Sequence, residues 1–135
     1  MLKITRSVKF DRKAAVARLQ AARDDALTLM GDQALKDVTQ YVPKDQNTLR
    51  RSGETNSDTK AKDGKYVLRW DTPYAQYLWH GKVMHGDPTN RTYGPDHIKF
   101  TEALAREEWA KYAQKVHGAD WRRVYQAALK VVLNR

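Results

Sequence analysis

Lys65-Tyr66-Val67-Leu68-Arg69-Trp70-Asp71-Thr72-Pro73-Tyr74-Ala75-Gln76-Tyr77-Leu78-Trp79-His80-Gly81 is the stretch on which the fold turns. Its first half has the period of a half-buried strand. Tyr66, Leu68 and Trp70 fall on one side of an extended chain, and Lys65, Val67 and Arg69 on the other. Trp70 continues the alternation and is expected in the core. The second half changes period. Thr72 or Asp71 can cap a helix, and Pro73 suits the first helical position, where its missing N–H would have no partner anyway. Tyr74, Ala75, Tyr77 and Leu78 give that short helix an apolar side, and Gly81 is placed to end it.

Upstream, Asp63-Gly64 supplies a two-residue turn in which positive φ is cheap, so a hairpin is expected. Its partner strand would be about Gly53–Lys60, polar on both faces and therefore an edge strand. Before it, Ala15, Leu19, Ala22, Ala26, Met30, Ala34, Val38 and Tyr41 recur every three or four residues. That is the stripe of a long helix capped by Asp11 and stopped by Pro43. Gly31 lies inside it and predicts a bend or break.

Downstream, Lys82–His97 carries Gly86, Pro88 and Gly94-Pro95 and reads as a long loop or a loose hairpin. Phe100, Ala103, Leu104, Trp109, Tyr112, Ala113 and Val116 then return to helical spacing. Gly118 interrupts them, and Asp120 can cap a second segment with Trp121, Val124, Tyr125, Ala128, Val131 and Val132. The order is helix, strands, short helix, loop, helices. The expected class is α+β, a small antiparallel β-sheet packed against a long N-terminal helix, with C-terminal helices. The 135 residues fit one domain, 1–135, in which 118–135 is a C-terminal helical extension.

Composition narrows function by exclusion. There are no cysteines, so disulfides and thiolate chemistry are absent from this chain. No apolar run is long enough to cross a membrane, and none follows the cations of Met1–Phe10 as a secretory signal would require. The net charge of +9 divides as +4 over residues 1–50, +1 over 51–97 and +4 over 98–135. A polyanionic partner such as DNA is one reading, and a solvated surface facing acidic neighbours is the other. No run of five or six like charges favours the first.

The residues offer little to catalysis. His80, His85 and His97 lie near Asp87 and Asp96, but His80 and His85 are five apart, not the four of a helical ligand pair, and ordinary loop histidines are expected. His85 with Asp87 as an acid–base pair lacks a nucleophile beside it. Gly81, Gly86 and Gly94 lack the spacing of a phosphate cradle. No catalytic, cofactor-binding or metal residue is therefore assigned, no cofactor is expected, and the chain reads as a non-enzyme. The aromatics are more informative. Trp79 falls on a different side of the short helix from Leu78, and an exposed tryptophan beside His80 would suit a subunit interface. Contact residues are thus expected at Trp79, His80, Lys82, Val83, Met84, His85 and Tyr93.

Two segments carry a family resemblance. Tyr41-Val-Pro43-Lys-Asp45-Gln-Asn47-Thr-Leu49-Arg-Arg-Ser52 resembles the Tyr-x-Pro-x-Asp-x-Gly-x-Leu-x-x-Ser pattern of tailed-bacteriophage head–tail joining proteins. Trp70-Asp-Thr72-Pro73-Tyr74-Ala75-Gln-Tyr77-Leu-Trp-His-Gly81 resembles their Trp-x-Thr-Pro-Tyr-Ala-x-Tyr-x-x-x-Gly signature, and Gly81-Lys82-Val83-Met84 extends it towards minor capsid proteins. Asn47 stands where the family has glycine, and asparagine tolerates the left-handed backbone better than most residues. The resemblance implies a non-catalytic virion protein of the neck or tail-completion region, assembled in the host bacterial cytoplasm. It implies a ring of its own copies, hexameric or dodecameric, contacts with portal, neck or tail proteins, contact with double-stranded DNA in the lumen, and no membrane. A stand-alone basic nucleic-acid-binding module is the alternative on charge alone.

Overall fold

The computed structural model describes residues 11–43, 48–73, 75–86, 89–100 and 102–134. Helix α1 (Arg12–Thr39) starts where the sequence places it. The Asp11 carboxylate accepts the Ala14 N–H at 3.1 Å, satisfying one of the free donors of the first turn. Ala22, Ala26, Ala34 and Val38 form its buried stripe, while Leu19 is 57% exposed. The helix runs unbroken through Gly31, against the expected bend. Gly31 is buried beneath the Tyr66 ring, and a Cβ there would lie 2.6 Å from Tyr66 Cδ2 and nearer still to Cδ1 and Cγ. The glycine makes room for a neighbour; it does not loosen the helix.

Helix α4 (Trp109–Leu133) lies antiparallel along α1. Trp121 Nε1–H donates to Asp37 Oδ2 at 2.7 Å, and Tyr41 Oη meets His117 Nε2 at 2.8 Å, so position rises along one helix as it falls along the other. Two helices separated at Gly118 were expected, the first beginning near Phe100. There is one, and it begins at Trp109. A single interior glycine costs only about 1 kcal/mol, less than the packing of Trp121 and Ala128 beyond it returns. The helix cannot start earlier because Glu108 takes the left-handed conformation, φ 47°, and sends its N–H to the Trp79 carbonyl at 2.8 Å. Residues 118–133 are therefore continuous with the rest of α4.

The polar edge strand expected over Gly53–Lys60 is also corrected. Residues Thr48–Asn56 form helix α2. Its inner face consists of Leu49, Ser52 and Gly53, all buried. Two of these are small, so helical periodicity was present without a large apolar signal. The hairpin keeps only its turn. Asp63 and Gly64 both have positive φ, and Lys62 and Lys65 exchange backbone hydrogen bonds of 2.9 and 3.0 Å. Beyond that the chain over 66–70 is extended but not laddered. The Val67 carbonyl accepts the Asp58 N–H at 2.8 Å, and side chains take over as partners: Asp58 Oδ2 accepts the Val67 N–H, and Ser57 Oγ accepts the Arg69 N–H, each at 2.9 Å.

Helix α3 (Ala75–His80) follows, then strands β1 (Lys82–His85) and β2 (Thr92–His97), an antiparallel pair. Of the two readings of Lys82–His97, the hairpin is the one that forms. Lys82 faces His97, Met84 faces Tyr93 and His85 faces Thr92, with an irregularity between Lys82 and Met84. The fold is α+β: a long N-terminal helix, a two-stranded antiparallel sheet and a C-terminal helix. The sheet meets the helices through α3, from which β1 directly continues.

Trp109, 1% exposed, is the centre of the core. Trp70 and Trp79 meet it edge-on, with ring centroids at 5.9 and 5.0 Å and interplanar angles of 77° and 83°. Such pairs contribute roughly 0.5–1.5 kcal/mol each beyond area burial. Val38, Val42, Leu49, Ala75, Ala113 and Trp121 close around them. Trp70 is only half-buried, yet it packs on this core, on the same side as Tyr66 and Leu68 in the alternating burial of 65–70, although no strand forms there. No helix among the described residues is long and apolar enough to cross a membrane.

Candidate functional site

The two motif segments, eighteen residues apart in sequence, fold against each other. Ser52 Oγ accepts the Asp71 N–H at 2.6 Å and the Asn56 side-chain amide at 3.1 Å. Gly53 lies against the Trp70 indole, where a Cβ would stand 2.8 Å from Cε2. Tyr41, Pro43, Leu49 and Ser52 are all buried. Tyr41 also ties the first motif to the C-terminal part of the chain. Its carbonyl accepts the Arg106 N–H at 3.0 Å, its hydroxyl meets His117, and its ring stands edge-on to Tyr112 at 5.1 Å. Arg50, unremarked in the sequence, donates to the Val42 carbonyl at 2.9 Å and so satisfies an acceptor just past the end of α1. Asp45, Asn47 and Tyr74 lie outside the described residues.

The second motif sets the exit from the core. The Thr72 carbonyl accepts the Ala75 N–H at 3.1 Å as α3 opens, and Ala75 is buried. Gly81 ends the helix with φ 65°, its N–H on the Tyr77 carbonyl at 3.1 Å and its own carbonyl accepting the Ile98 N–H at 2.6 Å. A Cβ at Gly81 would meet Glu107 Cβ at 2.5 Å. Only glycine fits both the backbone and the space. Glu107 in turn holds His97, Oε2 to Nδ1 at 2.8 Å, which anchors the end of β2.

These devices leave one surface unfilled. Between α3 and the hairpin lies a groove of about 470 Å³. Its apolar part comes from Pro73, Tyr77, Met84 and Tyr93, with the two tyrosine rings 6.0 Å apart. His80, Lys82 and Arg91 add basic groups to the lining, Gln76 adds an amide, and no carboxylate among the described residues lines the groove. Such a lining accepts an extended or helical segment that presents apolar side chains and acidic groups together.

Of the expected contact residues, His80, Lys82, Met84 and Tyr93 come together here. Val83 is half-buried, and His85 is exposed, but neither lines the groove. Trp79 is corrected: it is not a free surface aromatic but packs half-buried on Trp109. Gln76 and Arg91 were missed. Arg91 lies in the turn before β2, and only the hairpin register brings it back towards α3. The histidines do not converge. His80, His85 and His97 are exposed, His117 is bound in the α1–α4 seam, and Asp87 lies outside the described residues. Among the described residues no three His, Cys, Asp or Glu side chains are grouped to hold a metal ion.

One phenol is electrostatically unusual. Burial, and after it the hydrogen bond from Tyr66 Oη to Asp32 Oδ1 at 2.7 Å, push the Tyr66 hydroxyl well above its ordinary value. It fastens the extended segment to α1 and lies away from the groove. Comparison with protein-family models, with curated proteins and with solved structures gives no match.

Proposed function

We propose that this chain is a structural, non-catalytic virion protein of a tailed phage or prophage. It would act at the head–tail connection by assembling into a ring with its own copies and with portal, neck or tail proteins. The observation that carries the reading is the interlocking of the two motif segments. Ser52 on Asp71, Gly53 on Trp70 and Gly81 on Glu107 use the motif residues to position α3 and the hairpin, and none of them to build a reactive centre. The surface so positioned is a groove with the aromatic and basic lining that suits a protein partner.

Unburied apolar side chains elsewhere fit assembly too. No described residue from 11 to 21 is buried, and Val16, Leu19 and Val131 are 43%, 57% and 61% exposed. By the pairing of Asp37 with Trp121, α4 ends about level with residue 25, so the first three turns or so of α1 extend past it. In the proposed ring, neighbouring subunits would cover these side chains.

Sedimentation tests the reading. The pure chain should sediment as a monomer or a weak oligomer, and should enter a ring-sized species when mixed with the portal or tail proteins encoded beside it. A chain that stays monomeric in every such mixture would overturn the proposal.

A further inference from the structure

Helix α4 carries the largest imbalance of charge of any helix among the described residues. Within Trp109–Leu133 there are five cations, Lys111, Lys115, Arg122, Arg123 and Lys130, against the single anion Asp120. Two are engaged, Lys111 with Glu108 at 3.3 Å and Arg123 with Asp120. Lys115, Arg122 and Lys130 are exposed and form no ion pair among the described residues.

Their placement is linear. At about 100° per residue they fall within an arc of roughly 80°, each at least about 100° around the helix from the buried Trp121 and Ala128. From Lys115 to Lys130 the row covers about 22 Å of straight helix at 1.5 Å per residue.

We propose that this face of α4 binds the phosphate backbone of duplex DNA. A row of separated point charges along one side of the helix matches a rigid linear polyanion, and it can hold phosphates without reading bases. Its length corresponds to about six base-pair steps at 3.4 Å each. A membrane surface fits less well. Trp121, Ala113 and Ala128 of α4 are buried in the core, and the large apolar side chains it leaves exposed, Val116, Val131 and Leu133, spread over roughly 160° of the helix and form no single face to insert. The inference stands on α4 alone and needs neither the groove nor ring assembly, so either can fail without the other.

The test is fluorescence anisotropy of the full chain with a labelled mixed-sequence duplex of about 30 base pairs, titrated between about 50 and 200 mM salt. One variant carries Lys115→Gln, Arg122→Gln and Lys130→Gln. The control carries Lys60→Gln, Lys62→Gln and Lys65→Gln, three exposed cations of the segment before α3, and loses the same net charge. Circular dichroism confirms that both fold, and the single change Lys115→Glu serves if the triple does not. The wild-type chain should bind regardless of sequence. The α4 variant should lose at least about tenfold in affinity at low salt, with a salt slope shallower by roughly 3, and Lys115→Glu should also lose affinity, while the control stays within about threefold. Equal losses in both triple variants would mean that net charge alone acts. That result would overturn the proposal, as would an unaffected α4 variant, no binding by the wild type, or displacement of the duplex as readily by polyglutamate as by unlabelled DNA.

Discussion

Replacing Gly31 by alanine opposes two physical effects of known sign. In an exposed helix interior, glycine to alanine stabilises by about 1 kcal/mol, because alanine loses less backbone entropy on folding. Here the new methyl would stand 2.6 Å from Tyr66 Cδ2 and closer to two other ring atoms, where ordinary carbon contacts are about 3.5–4 Å. The ring must retreat by about 1 Å. That displacement breaks or stretches the 2.7 Å hydrogen bond from Tyr66 Oη to Asp32, which contributes about 1 kcal/mol, and overpacking adds roughly 1–3 kcal/mol. The expected balance for Gly31→Ala is a net loss of about 1–3 kcal/mol by urea unfolding. The background Tyr66→Ala removes the obstacle. There the same substitution should change sign and stabilise by about 1 kcal/mol, which makes the pair strongly non-additive. A Gly31→Ala protein more stable than wild type would show that the ring does not lie on the helix as described.

Three further outcomes are expected. Trp70→Ala should cost about 3 kcal/mol, the low end for a large aromatic site because Trp70 is half-buried, and a urea midpoint equivalent to under about 1 kcal/mol would break the register of the extended segment. The Tyr66 hydroxyl is raised by burial and by Asp32, so its stabilisation is complete below pH about 10, the unfolded value, and declines as pH rises above that. Wild type should therefore lose stability above pH 10 more steeply than Tyr66→Phe, and parallel curves would refute it. Arg91→Glu with Tyr93→Ala changes exposed groove residues, so thermal unfolding should move by no more than about 0.5 kcal/mol equivalent. Entry into connector complexes should be lost, and unchanged entry would show that the groove is not a contact.

Much of this architecture was legible, and the failures share a cause. The α1 stripe, its Asp11 cap, the Asp63-Gly64 turn, the short helix opened after Thr72-Pro73 and the Gly81 exit are all local devices, and local chemistry specifies them. Glycine misled twice, because a local helix-breaking tendency was outweighed by packing. Gly31 admits Tyr66, and Gly118 sits in an open helix whose packing outweighs its entropy. α2 was hidden because its inner face is built from Ser52 and Gly53 and is held by one hydroxyl on the Asp71 amide. At the groove, His80, Lys82, Met84 and Tyr93 could be named in advance. Arg91 could not, since only the pairing of Met84 with Tyr93 folds that turn back towards α3. Trp79 was placed by helical spacing alone, and the unforeseen start of α4 at Trp109 gave it a buried partner.

The proposed role, joining heads to tails, is tested most directly by deleting the gene from the genome that encodes it. Counting particles by electron microscopy after induction should find DNA-filled heads and free tails accumulating apart, with joined virions restored when the wild-type chain is supplied in trans. Joined, infectious particles at wild-type numbers from the deletion would contradict it.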